Sequence, residues 1–380
     1  MQNSHPLNTS SAHHCPALAD SPAALGSNAV RLSPCQWLIA AALLAALACG
    51  LPALCDRAES FQPGPDYRIP YPLASDYRLY RRYCQLAAAR GQTLVVGDSA
   101  IWGHYVPSNH TLTHYLNQLT GSQHFANLGL DGTHPAALYG LLRYYAPAIN
   151  HRRVILHLNP LWLSSSKYDL STQKELHFNH PRLVPQFIPT IPCYRASCSQ
   201  RISILLERHI PLFNWVSHLR IAYFESTDIP TWTLRHPYDN PLDALTFELP
   251  PSDDYEPPRR PARPTTKSSY AWVDLQTSLQ WRFFKRSVQL LRERGNTVFV
   301  LIGPFNEHLL APESRQTYQR LTCKIQSWLR RENILYYAPA ALPANLYVDA
   351  SHPRRAGYAR LANHLLANLP LNQPSHSPSD

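Results

Sequence analysis

Short apolar runs separated by longer amphipathic stretches set the rhythm of this chain. Thr93–Gly97 (TLVVG), His124–Leu128, Arg153–Leu158 (RVILHL), Thr297–Ile302 (TVFVLI) and Ile334–Tyr337 are brief and largely apolar, the pattern of strands buried between two layers. Between them, apolar positions recur at helical spacing over 74–90, Pro135–Tyr145, Ala271–Arg294, Ser314–Arg331 and Arg354–Leu369. A repeating strand–helix order implies a parallel sheet covered on both faces, so the expected fold is a three-layer α/β/α domain of flavodoxin-like type.

The rhythm fails over about 165–270, where aromatics are scattered and a proline-rich run fills 250–266; this reads as an insertion carrying helices at Ser199–His209 and Leu212–Tyr223. The domain as a whole should occupy 60–370. Residues 1–34 and 371–380 lack periodicity and are expected to be disordered tails. One stretch is of another kind. Trp37–Leu54 contains no charged residue and is long enough to cross a bilayer, so 35–55 is expected to be a membrane anchor or signal-anchor. A cleaved signal peptide, or a lipoprotein signal offering Cys49 after Ala46-Leu47-Ala48, fits the same residues, and each of these three readings exports the residues beyond 60. A buried Ala/Leu core helix is the fourth alternative.

Composition narrows the partners. The formal charge of +10 suits an anionic polymer or membrane surface, but no long Lys/Arg run and no aromatic-basic module point to nucleic acid. No cysteine spacing suits zinc, and neither a metal nor a cofactor is expected; Cys193 and Cys198 form either a small disulfide loop or two free thiols.

Two places carry candidate chemistry. Gly97-Asp98-Ser99 directly follows the first strand, and the carboxyl ends of strands are where an α/β sheet meets ligands. By itself the triplet reads more readily as a turn whose Asp and Ser cap the next helix. About 250 residues later, Asp349-Ala-Ser-His352-Pro353 precedes the terminal helix. An Asp and a His so spaced can share a hydrogen bond, the carboxylate fixing the imidazole tautomer while the other ring nitrogen takes a proton from a serine hydroxyl. The alternative is a turn with a bystander histidine.

Taken in order, Gly97-Asp98-Ser99, Asn127-Leu-Gly-Leu-Asp-Gly132-Thr133, His157-Leu-Asn159-Pro160 and Asp349-x-x-His352 resemble the four blocks of the SGNH/GDSL hydrolase superfamily. The resemblance covers roughly 92–165 and 295–366. It implies Ser99 as nucleophile, Asp349 and His352 as its acid–base partners, and an oxyanion hole made by the Ser99 N–H, the Gly132 N–H and the Asn159 side-chain amide. The third block departs from the Gly-x-Asn-Asp of simple esterases and is closer to the membrane-associated branch that includes alginate O-acetyltransferase-like proteins and the D-alanyl transfer protein of teichoic acid modification. That likeness implies an extracytoplasmic serine esterase or O-acyltransferase acting on acyl esters of cell-surface carbohydrate, with a membrane acyltransferase as partner. The contrasting expectation is a catalytically idle scaffold or carbohydrate-binding module in a polymer-modifying membrane complex. Trp215, Trp232 and Tyr238 of the insertion are either sugar-stacking surfaces or local core, and Gly303-Pro-Phe-Asn306-Glu307-His308 is either pocket lining or a plain turn. His157, beside Asn159, is expected to be an ordinary buried-strand histidine, the alternative being a contact with the catalytic site.

Overall fold

The computed structural model describes residues 32–258 and 267–370, so the tail expected at 371–380 and all but residues 32–34 of the tail expected at 1–34 lie outside the described residues, and Pro34 already opens a helix. The chain divides into two units, residues 1–47 and 48–380. A 25-residue helix, α1 (Pro34–Ala58), runs through the boundary and contains the expected anchor. At about 1.5 Å per residue it is about 37 Å long, and it is apolar enough to cross a bilayer. Trp37, Leu38, Ile39, Leu43, Leu44 and Leu47 are all exposed along it.

In the second unit, β1 (Thr93–Gly97), β2 (Phe125–Gly129), β3 (Arg153–Leu158), β4 (Thr297–Ile302) and β5 (Leu335–Tyr337) form one parallel sheet in the order β2-β1-β3-β4-β5. This is the flavodoxin-like order. The register is continuous, with Gly97 beside Gly129 and Leu158 beside Ile302, so the carboxyl ends of the strands make one rim.

Helix α2 (Tyr77–Ala89) precedes β1, and the short α3 (Ser99–Trp102) follows it at once, then α4 (Leu112–Thr120). Next come α5 (Pro135–Tyr145) and the insertion helices α6 (Cys198–His209), α7 (Pro211–Ala222) and α8 (Ile229–Arg235), then α9 (Leu279–Glu293), α10 (Pro312–Arg331) and α11 (Arg355–Asn368). One core layer joins α2, α5, α9 and α10 to residues such as Leu94, Val96, Leu156 and Val300. The opposite layer joins α4 and α11 to Val95, Ile155, Phe299 and Leu301. Alternate strand residues thus face opposite layers, as buried parallel strands require.

Two expectations need correction. The helix expected from Ala271 begins only at Leu279, because Ser278 caps it and the Asp169 carboxylate accepts hydrogen bonds from Ser278 Oγ and from the N–H groups of Leu279 and Gln280. The insertion also has a third helix, α8, where Asp228 caps and Pro230 fills the first turn instead of breaking it. Cys193 is buried, Cys198 is exposed, and the two are free thiols.

Candidate active site

Ser99 stands at the first position of α3, immediately beyond β1, and is half-buried. Its neighbour Asp98 caps that helix, its carboxylate accepting from the Ala100 N–H at 3.0 Å. The backbone carbonyl of Asp98 takes the N–H groups of Ile101 and Trp102, and Ser99, as the first residue of α3, has its N–H among those with no acceptor inside the helix. Gly129 permits the close approach, since a Cβ there would sit 2.4 Å from the Trp102 nitrogen. The far end of α3 is held by the fully buried Arg68, whose Nη1 donates to the carbonyls of Trp102 and Gly103, both at 2.8 Å. Its guanidinium stacks on the Trp102 ring and pairs with Asp253 of the insertion.

His352, remote in sequence, arrives opposite the hydroxyl. Its Nε2 lies 2.9 Å from Ser99 Oγ, and its Nδ1 lies 2.9 and 2.8 Å from the two oxygens of Asp349. The Asp349 carboxylate also accepts from the N–H groups of Ser351 and His352, closing a tight turn that fixes the carboxylate against the ring. Burial would lower the His352 pKa, but the hydrogen bond and charge of Asp349 outweigh it, and the pKa is raised. For Asp349 burial acts upward, and His352 together with the turn N–H groups brings the pKa below the usual carboxylate value.

Asn159 follows β3, next to β1 in the sheet, and is almost fully buried. Its Oδ1 accepts from the Leu161 N–H and its Nδ2 donates to Asp98 Oδ2 at 2.7 Å, so the amide is oriented at both ends and has one N–H to spare. Asp98 also accepts from Trp162 Nε1 at 2.8 Å. Burial alone would raise the Asp98 pKa; the facing His157, Asn159 and Trp162 hold it at about 2 instead. His157 is buried, as expected for a strand histidine, but also belongs to the site's support. Its Nε2 donates to the Gly303 carbonyl at 3.0 Å, and its Nδ1 is 3.2 Å from Asp98 Oδ1 but off the axis of a good hydrogen bond. Gly132 has a φ of +71°, in the left-handed region, and a Cβ there would come within 2.2 Å of Asn179 Nδ2, so backbone and space both demand glycine.

Several residues around Ser99 carried no signal in the sequence. His104 donates its backbone N–H to the Ser99 carbonyl, and its ring, paired through Nδ1 with Asp131 at 2.7 Å, lies 5.7 Å from the His352 ring. Tyr105 meets His352 edge to face. Tyr255 donates its hydroxyl to the His104 carbonyl and stands against Tyr71 and Trp102. The rim thus has an aromatic wall, to which the insertion contributes Tyr255 rather than the aromatics named from its sequence. Trp232 packs on Phe224 and His236 inside the insertion, and Tyr238 is fully open to solvent. The segment Gly303–His308 is more than a turn: the Asn306 N–H and side-chain amide donate to the carbonyls of Ala350 and Asp349. Among the described residues no group of three or more His, Cys, Asp or Glu is placed to hold a metal ion.

No family model and no curated protein matches this sequence. Among solved structures, one that matches is a G-D-S-L family protein, provisionally called lipolytic, from Desulfitobacterium hafniense DCB-2. It is 12% identical, with a TM-score of 0.37 over 73% of this chain and 99% of that one, a likeness too distant to carry correspondences between residues.

Proposed function

We propose that this protein is a serine esterase or O-acyltransferase that works through an acyl-enzyme on Ser99. The observation that carries the proposal is the unbroken contact from Ser99 Oγ through both nitrogens of His352 to Asp349. A serine hydroxyl is too weak an acid to attack unaided. With Asp349 accepting the Nδ1 proton, the neutral Nε2 is free to take the hydroxyl proton as Oγ attacks an acyl carbonyl. The N–H groups of Ser99 and Gly132 and the spare N–H of Asn159 would receive the oxyanion. The imidazolium then protonates the departing alcohol, and a second alcohol or water enters by the reverse steps.

The finer reading is transfer or hydrolysis of acyl groups on cell-surface carbohydrate, outside the membrane, in company with a membrane acyltransferase. It is supported by an anchor-length apolar helix ahead of the domain and by flat aromatic faces at the rim, which suit the apolar faces of sugar rings. The test uses the full chain in detergent with an acetyl-ester donor, a fluorophosphonate probe and, in parallel, Ser99→Ala. Labelling and acetyl release that vanish in the variant support the nucleophile, and acetylated oligosaccharide in place of free acetate identifies transfer. A folded wild type that neither labels nor turns over would sink the proposal in favour of a scaffold.

A further inference from the structure

The Gly132 N–H can serve as an oxyanion donor only if its peptide plane is fixed; the Leu130 N–H bond to the Gly97 carbonyl and the Thr133 N–H bond to the Leu130 carbonyl close a turn around that peptide, but they touch neither its C=O nor its N–H. The plane is shared with the Asp131 carbonyl. In a trans peptide the C=O and N–H point in opposite directions, so whatever holds the carbonyl aims the N–H. That carbonyl accepts a 2.7 Å hydrogen bond from His180 Nε2, and His180 Nδ1 lies 3.0 Å from the Tyr77 hydroxyl. A carbonyl only accepts, so Nε2 carries the ring proton; Nδ1 is then the acceptor and Tyr77 the donor. His180 belongs to the insertion, is buried, and has a left-handed φ of +56°, while Tyr77 is the buried first residue of α2. Asn179, one residue before, packs on the open side of Gly132.

We propose that Tyr77 and His180 form a relay that positions the Asp131–Gly132 peptide, so that the insertion and α2 complete what the turn on β1 begins and set one donor of the oxyanion hole. Drawing density from the carbonyl also makes the N–H of the same peptide a better donor, since hydrogen bonds in a chain polarise one another. Burial pushes the His180 pKa down, which keeps the ring neutral and the tautomer single. His180 and Tyr77 are positioning residues: neither touches Ser99 or His352. The inference rests on the acyl-enzyme reading above, because an oxyanion hole has work to do only there.

The experiment compares His180→Phe, His180→Gln and Tyr77→Phe in the full chain, with far-ultraviolet circular dichroism and melting temperature as folding controls. Gln can place an amide N–H where Nε2 stands; Phe cannot. His180→Phe should lower kcat by about 10–100-fold, less than outright loss of an oxyanion donor, with KM within about 3-fold. His180→Gln should recover most of that loss, and Tyr77→Phe, which keeps the ring but frees the imidazole, should cost about 3–10-fold in kcat, again without a matching change in KM. Should His180→Phe fail to fold, the Gln and Tyr77 variants decide. A folded His180→Phe with unchanged kcat, an equal loss in His180→Gln, or an effect confined to KM overturns the relay and leaves the acyl-enzyme reading in place. A wild type without labelling or turnover overturns both.

Discussion

Asp98→Asn tests whether a buried charge behind the proposed nucleophile organises the site. The carboxylate accepts hydrogen bonds from the Ala100 N–H, Asn159 Nδ2 and Trp162 Nε1. Asparagine of the same shape has one acceptor oxygen, so at least one donor loses its partner and meets an NH2 group. The fall of the Asp98 pKa from an ordinary 3.8 to about 2 corresponds, at about 1.4 kcal/mol per pH unit, to about 2 kcal/mol of stability at neutral pH. Because the folded value is the lower one, this contribution is complete above about pH 4 and disappears as pH falls toward 2. Asp98→Asn should therefore be about 2–3 kcal/mol less stable than wild type at pH 7 in urea denaturation, and the deficit should shrink between pH 4 and 2. Turnover should fall by about 10-fold or more, since losing one oxyanion donor altogether costs about 100–1000-fold and Asn159 would be displaced rather than removed. Equal stability at pH 7, or a deficit that does not narrow in acid, refutes the reasoning.

Asp349→Asn should lower kcat by about 10,000-fold while the fold survives, because the amide favours the wrong imidazole tautomer; near-normal turnover would contradict this. In the wild type, kcat/KM should rise with pH through a His352 pKa above 6.5, since the base must be neutral and Asp349 favours its charged form; an inflection below 6.5 would count against it. Gly132→Ala should lower both melting temperature and kcat, and adding Asn179→Ala should relieve the clash but leave about 1 kcal/mol of backbone strain. His218 lies between Asp76 at 2.6 Å and Glu59 at 2.9 Å. Burial opposes its charge, but the two carboxylates raise its pKa to about 10. His218→Leu should destabilise the chain by about 3–5 kcal/mol at pH 6, and the deficit should fade as pH rises from 6.5 toward 10, where the wild-type imidazole also loses its proton.

The strands were legible because each is a short apolar run closed by Gly, Asn or a turn, and β1, β3 and β4 begin and end where the pattern does. Helix ends were less so. The late start of α9 depends on Asp169, more than a hundred residues away, and α8 depends on a proline whose local signal is that of a breaker. In the site, Ser99, Asp349 and His352 could be named from two short patterns. His180 could not, and Asn306 was in reach only as pocket lining or turn, because both act through backbone carbonyls, which leave no residue-type signature.

Sheet topology explains why half of the site assembles almost by itself and half needs support. The switch point of the order β2-β1-β3-β4-β5 lies between β1 and β3, where the following helices depart to opposite faces. Asp98 and Asn159 are the first residues past those two neighbouring strands, so strand pairing alone brings them into contact, with Ser99 next along the chain. His352 has no such advantage. It follows β5, three strand positions from β1, a span of about 14 Å at about 4.8 Å per strand. The loop carrying it must run back along the rim over β4 and β3, and its fastenings lie on the way. Tyr347 donates its hydroxyl to the Phe305 carbonyl, Asn306 holds Asp349 and Ala350, and Tyr358 at the start of α11 reaches the Ala100 carbonyl beside the nucleophile at 2.6 Å. The segment Gly303–His308 therefore acts as a bridge for the loop that carries Asp349 and His352, and damage to it should loosen His352 from Ser99 while leaving the Asp98–Asn159 contact intact.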